Sequence, residues 1–245
     1  MKKTIAVMCF GLILLRSFVS YAQDIPIGKS EQFDAIYTYE KGDPNGIGKW
    51  YMGREIAYVM GYQGIGWLER TAREKEEKTT RLLSNMYIDA ADVIADIGAG
   101  SGYHVFKMAR ITTKGLIYAV DIQPEMLIAM NSKIADSAIK NVETILGGER
   151  SINLSENSVD KVLMVDVYHE FSYPAEMLAS IKKALKPEGR IFLIEYRGED
   201  ISVPIKTIHK MTEKQAEKEF EAAGFVLEKN IDNLPWQHCM IFKLK

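Results

Sequence analysis

The run Val93-Ile94-Ala95-Asp96-Ile97-Gly98-Ala99-Gly100-Ser101-Gly102 constrains this chain more than any other stretch. An apolar run ends in an acid, and glycines then follow at alternate positions. A strand buried on both faces needs an apolar run of this kind. Spaced glycines suit a tight turn whose backbone enters conformations closed to other residues. A helix over 103–111 then opens with its free N–H groups toward a ligand. Nineteen residues past Gly102, a second run, Leu116-Ile117-Tyr118-Ala119-Val120, ends in Asp121. A strand-end acid at that distance is placed to grip a pair of ribose hydroxyls. The unit is strand, turn and helix, and it implies a nucleoside site.

The rest of the chain repeats that rhythm. Strands are predicted at 92–97, 116–121, 142–146, 159–166 and 189–197, with helices at 103–111, 124–138, 174–186 and 212–223. Pro124 and Pro174 fall at helix starts, where a missing N–H costs nothing. Lys186-Pro187-Glu188-Gly189 is a stop signal before the fifth strand. Two more apolar runs, 225–231 and 238–244, flank Asp232-Asn233-Leu234-Pro235, a connection short enough to make them antiparallel neighbours. The expected fold class is α/β: a doubly wound, mostly parallel seven-stranded sheet closed by an antiparallel C-terminal hairpin strand. An N-terminal helical cap precedes it. That cap has a turn-rich arm over 23–50, a short helix over 54–60 and one helix over 67–86. Its charge run, Arg73-Glu74-Lys75-Glu76-Glu77-Lys78, is expected to form a solvated face.

With 245 residues, the chain suffices for one α/β domain with a full core. Apolar residues are 47% and charged residues 26%, at a formal net charge of −2. That balance places it in the soluble globular class and shows no basic excess of the kind that nucleic-acid partners call for. Residues 1–22 read as a signal peptide: Lys2 and Lys3, an apolar run over 5–15, and Ser20-Tyr21-Ala22 before Gln23. The apolar run is shorter than the roughly 20 residues of a spanning helix. The expectation is an exported chain with no stable membrane span after cleavage, an uncleaved N-terminal anchor being the alternative. The division expected is thus 1–22 signal, 23–89 arm and cap, and 90–245 nucleoside-binding domain. Cleavage leaves Cys239 alone, so no disulfide forms within one chain.

Two cofactor classes suit such a unit. A dinucleotide fingerprint, G-x-G-x-x-G, needs a glycine where this chain has Tyr103, and its pyrophosphate would meet the carboxylate of Asp96. The methionine half of S-adenosylmethionine (SAM) carries an ammonium and no phosphate, so the spacing favours SAM over NAD. The segment 90–245 resembles the class I SAM-dependent methyltransferases of the small-molecule type. Residues 93–102 match their first motif and 119–127 their second. Residues 159–166 match the fourth-strand motif and 185–191 the turn into the fifth strand.

The resemblance implies roles. Asp96, Gly98, Ala99, Gly100 and Gly102 line the methionine half of the cofactor. Asp121 accepts from the ribose hydroxyls, Ile122 and Met126 flank the adenine, and Asp166 stands where cofactor and acceptor meet. Where relatives carry an Asp for the adenine amino group, this chain has Gly148, and the alternatives are Glu149 as substitute or an adenine held by backbone alone. A bland reading stays open for Asp121 as a helix cap and for Asp96 as a partner of turn N–H groups.

Methyl transfer from a sulfonium rests on in-line positioning in a dry pocket, with a base only where the nucleophile must lose a proton. Tyr168, His169 and Glu170 after the fourth strand are the catalytic candidates, and Glu195-Tyr196-Arg197 ends the fifth strand facing the same crevice. His209, in the loop before the last large helix, is placed for an acceptor contact, with a surface histidine the equal alternative. A histidine hydrogen-bonded to a carbonyl is the equal alternative for His169. Trp67 is expected to pack the cap onto the sheet, or else to join Tyr58, Tyr62 and Arg70 in an acceptor wall. Arg70 and Arg73 are expected to be solvated. No metal is expected, because His169-Glu170 lacks the second histidine of a zinc-protease helix and the other histidines are scattered. The partner expected is a small-molecule or lipid-like acceptor. A SAM-binding envelope protein without catalysis is the reading from a different class.

Overall fold

The computed structural model describes residues 36–245, so the expected signal segment and most of the 23–50 arm's first half lie outside the described residues. The described chain opens with β1 (Tyr37–Tyr39), β2 (Gly46–Tyr51) and β3 (Arg54–Ala57), an antiparallel sheet in that order. The helix expected over 54–60 is therefore a strand. Met52 and Gly53 both take positive φ, 51° and 92°. They make the two-residue turn that pairs Tyr51 with Arg54 and Trp50 with Glu55.

The single helix expected over 67–86 is instead three short ones: α1 (Ile65–Leu68), α2 (Arg73–Glu77) and α3 (Thr79–Asn85). Lys78 breaks the last two at a left-handed φ of 52°. The break turns part of the charge run inward. Arg73 and Glu77 are buried and paired at 2.7 Å, and Arg70 joins Glu77 at 2.5 Å. The Tyr196 hydroxyl also donates to Glu77, at 3.1 Å. The solvated face expected there is thus in part a buried ion-pair network. Trp67 is 46% exposed, with the Arg70 guanidinium 3.7 Å from its ring centre, so it does not anchor the cap. Tyr37, Tyr51 and Ile56 do that, packed on Tyr173 and Ala175.

Seven strands build the main sheet in alternation with helices. They run β4 (Val93–Ile97), α4 (Val105–Ile111), β5 (Leu116–Asp121), α5 (Pro124–Ala135), β6 (Val142–Leu146) and β7 (Val159–Val165). Then follow α6 (Pro174–Ala184), β8 (Leu185–Tyr196), α7 (Glu213–Ala222), β9 (Phe225–Asn230) and β10 (Gln237–Leu244). The order is β6-β5-β4-β7-β8-β10-β9, and β10 runs antiparallel to both of its neighbours. The α/β class, the parallel sheet and its antiparallel closing strand are as the rhythm predicted. Most boundaries shift by one to three residues, and the largest shift is at the fifth strand. β8 begins at Leu185, because the Pro187 stretch is taken into the strand through a register jump from Val159↔Leu185 to Lys161↔Arg190.

Strand residues alternate between two cores. Ala95, Val162, Leu193 and Met240 belong to one, with Leu178 of α6 and Phe220 of α7. Ile94, Leu163, Ile194 and Cys239 belong to the other, with Met108 of α4 and Met130 of α5. Period-two alternation into two apolar layers is the signature of a sheet covered on both faces. From β4 the chain steps outward to β5 and β6, then returns to β7 on the other side. The carboxyl ends of β4 and β7 therefore bound the crevice where such sheets take their ligands.

Candidate active site

The turn after β4 explains its own glycines. Gly98, Gly100 and Gly102 take φ of 72°, 55° and 82°. A Cβ on Gly98 would also lie 2.4 Å from Val167, and one on Gly100 2.7 Å from Leu68. The N–H groups of Gly98 and Ala99 donate to the Val120 carbonyl at 2.8 and 3.0 Å, which draws the turn onto the end of β5. There the Asp121 carboxylate accepts from the Gly100 N–H at 2.8 Å and from the Gln123 N–H at 2.9 Å. Burial raises the Asp121 pKa against the pull of these N–H groups.

One cavity opens above this turn. Gly98, Gly100, Asp121, Ile122, Met126 and Glu149 all face it. Three expected contacts do not. Ala99 packs into a core, and Gly102 abuts Phe106. Asp96 is buried at the end of β4 with its Oδ2 unpartnered, and burial pushes its pKa up to about 7 although Arg73 opposes the shift. Side chains along a strand alternate between its two faces, and it is the next residue, Ile97, that lines the cavity.

Asp166 follows β7 directly with a φ of 50° and faces this cavity and a second one beside it. Its Oδ2 accepts from Gln237 at 2.7 Å, while Oδ1 is buried and unpartnered. Burial, with Glu77 and Glu195 nearby, holds its pKa well above the usual carboxylate range. Gln237 escaped the sequence reading. Only the pairing of β10 on β8 brings it here, opposite Tyr196.

The second cavity is lined by Tyr58, Trp67, Asp166, His169, Glu170 and His209 among others. His169 Nδ1 meets Glu195 Oε2 at 2.6 Å, and Glu195 Oε1 accepts from the Tyr168 N–H at 2.9 Å. His169 Nε2 lies 3.1 Å from His209 Nδ1, forty residues away in the chain. Glu170 Oε1 is 3.8 Å from each of those ring nitrogens and accepts from the Met60 N–H at 3.2 Å. Burial raises the Glu170 pKa to about 7, and burial followed by the neighbouring His169 lowers that of His209 to about 4. For His169 burial acts downward, but Glu195 outweighs it and the net shift is up.

Tyr168 is the catalytic candidate that the structure removes from the cavity. Its ring lies in the core and its hydroxyl donates to Glu219 at 2.8 Å. Glu219 is fully buried and grips Arg54 through both oxygens, at 2.8 and 2.9 Å. Arg54 also donates to the His169 carbonyl at 3.1 Å. The partnership of Arg54 in β3 with Glu219 in α7 had no sequence signal, since 165 residues separate them.

A methyltransferase-domain family model matches residues 88–241. The chain belongs to the class I SAM-dependent methyltransferase family. A solved SAM-dependent methyltransferase from Aquifex aeolicus is similar at a TM-score of 0.72 and 22% identity, covering 76% of this chain and 100% of that one. Among curated proteins, a tRNA U34 carboxymethyltransferase from Campylobacter curvus is 28% identical over 139 residues, 55% of this chain and 45% of its own length. An uncharacterized methyltransferase from Mycobacterium bovis is 34% identical over 106 residues, 43% of this chain and 40% of its own. The chain thus spans less than half the length of these curated relatives.

The family's cofactor is SAM, and the residues present fit it. The turn exposes Gly98 and Gly100 backbone to the cavity, a carboxylate stands at the end of β5, and Tyr103 takes the place of the glycine that a pyrophosphate requires.

Proposed function

We propose that this chain transfers a methyl group from SAM to a small-molecule acceptor held in the second cavity. The observation that carries the reading is that the two cavities share a wall, formed by Val59, Met60, Leu68, Val165, Asp166 and Glu170. When bound, SAM would supply an electrophilic sulfonium methyl with a neutral thioether as leaving group. Gly98 and Gly100 would receive its methionine half and Asp121 its ribose, with Ile122, Met126 and Glu149 around the adenine. Asp166 would border the methyl group. Glu170 and His209 would meet the acceptor, with His169 set in place by Glu195. Holding donor and acceptor in line across a dry boundary supplies much of the acceleration such a reaction needs.

The formal charge of −2 argues against tRNA as the acceptor, although the Campylobacter relative carries tRNA in its name. We propose in addition that the chain is exported, on the strength of the signal-like residues 1–22. Among the described residues no helix is long and apolar enough to cross a membrane. Calorimetry with SAM, S-adenosylhomocysteine and NAD tests the cofactor half of the reading: the first two bind and NAD does not. Tight NAD binding with none for SAM would overturn it. Release of S-adenosylhomocysteine over a panel of small hydroxyl, thiol and amine acceptors tests the transfer. SAM binding with no turnover across that panel would favour the non-catalytic binding protein.

A further inference from the structure

His169, Glu170 and His209 present three donor atoms to one point. The edges of the triangle are 3.1 Å between the two ring nitrogens and 3.8 Å from each to Glu170 Oε1. Metal–ligand bonds of about 2.0–2.1 Å in a tetrahedron place donors about 3.3 Å apart, and the observed edges bracket that spacing. This is the cluster among the described residues with metal-binding geometry.

The surroundings favour an ion over a bare hydrogen bond between the rings. Glu195 can only accept when ionised, so it claims the Nδ1–H of His169 and leaves the Nε2 lone pair aimed into the triangle. A carboxylate behind a ligating histidine is the usual support of such a ligand. Glu170 is steadied by the Met60 N–H. All three ligand residues face the second cavity, so a fourth position opens onto the acceptor space. Three protein ligands with one open position is the pattern of a catalytic site, not a structural one. The expectation of no metal rested on linear spacing, and the third donor comes from a turn forty residues downstream.

We propose that His169 Nε2, His209 Nδ1 and Glu170 Oε1 bind a divalent first-row transition ion of the zinc class, and that its open position takes the oxygen of a hydroxyl-bearing acceptor. This rests on the second cavity being the acceptor site, and it narrows that acceptor to an alcohol or phenol. A coordinated hydroxyl loses its proton to solvent near neutral pH. Its oxygen lone pair then forms the new C–O bond with the sulfonium methyl. The C–S bond breaks with its electron pair kept by sulfur, giving a methyl ether and S-adenosylhomocysteine with no change of oxidation state. His169 and Glu170 are then ligands and not proton acceptors, and Glu195 is a positioning residue.

The test uses the untagged, chelator-treated chain with no SAM present. Zn²⁺ is titrated in competition with a chromophoric chelator, and Co²⁺ is followed by its visible tetrahedral absorption. One equivalent of either ion is expected to bind. His209→Ala, on a half-exposed turn, is expected to weaken Zn²⁺ by at least about 100-fold and to abolish the Co²⁺ band. Glu195→Gln is expected to cost about 10- to 100-fold. Absence of stoichiometric binding, or equal affinity in the wild type and His209→Ala, would overturn the site. SAM calorimetry on the metal-free chain keeps the two readings apart. SAM bound without metal binding defeats the metal site alone, whereas metal bound without SAM defeats the methyl-transfer reading.

Discussion

Asp121 joins three jobs in one carboxylate. It ends β5, holds the glycine turn through Gly100 and faces the cofactor cavity. Hydrogen bonds to a charged group contribute about 1.5–3 kcal/mol each. Asp121→Ala is therefore expected to weaken SAM binding by roughly 10- to 100-fold, read by calorimetry, with the far-ultraviolet circular dichroism unchanged. Unaltered affinity would refute the ribose role. Asp96 poses a different question, because its carboxyl is buried with an unpartnered oxygen and a pKa of about 7. The unfolded group titrates near its ordinary value of 3.8, so between about pH 4 and 7 the folded state holds more protons than the unfolded one. Stability thus falls as pH rises through that window. Asp96→Asn cannot ionise, so it is expected to match the wild type at pH 4 and to exceed it by a few kcal/mol above pH 7. Denaturant melts at the two pH values check this, and an equal gain at pH 4 would point to packing instead of charge.

At the level of elements, the cap is bound to the sheet by charge as much as by apolar contact. Arg54 of β3 reaches across to Glu219 of α7 and to the carbonyl of His169. Cutting one member of a buried pair strands the other, at a cost of about 3–5 kcal/mol. Arg54→Met is expected to lose that much stability in denaturant and, where turnover is measurable, to lower it as well. A loss below about 1 kcal/mol would mean that Glu219 finds another partner. The same elements show where pattern reading reaches its end. α4, α5, α6 and α7 carry apolar faces at helical spacing and were legible. The 67–86 stretch carries a helical pattern too, yet Lys78 breaks it, because Arg73 and Glu77 gain buried partners only when the chain turns inward. β3 was missed for a similar reason: four residues are too few to show a period, and the Met52–Gly53 turn is what pairs them.

For the whole molecule, the proposed export sets where cofactor and protein would meet. If the first 22 residues are removed, the mature chain begins at Gln23 and loses Lys2, Lys3 and Arg16 but no acid. Mass spectrometry of the protein from fractionated host cells is expected to find that terminus outside the cytoplasm. An intact residue 1 in the cytoplasmic fraction would defeat export and remove the difficulty of supplying SAM beyond the membrane.

Local order in this chain follows from its residue pattern. Alternate glycines behind a buried strand, acids at strand ends and prolines at helix starts act within a few residues, so the strand–turn–helix rhythm and the SAM turn could be read without coordinates. The resemblance to a known family added the roles of Gly98, Gly100, Asp121, Ile122 and Met126, and all of these face the cavity. Long-range pairing could not be read in this way. Gln237 meets Asp166 through strand register, Arg54 meets Glu219 through the docking of the cap, and His209 meets His169 through a turn that the fold carries back over β7 and β8. Each depends on where the whole sheet places two distant backbones, which is set by the sum of core contacts and not by the residues beside either partner.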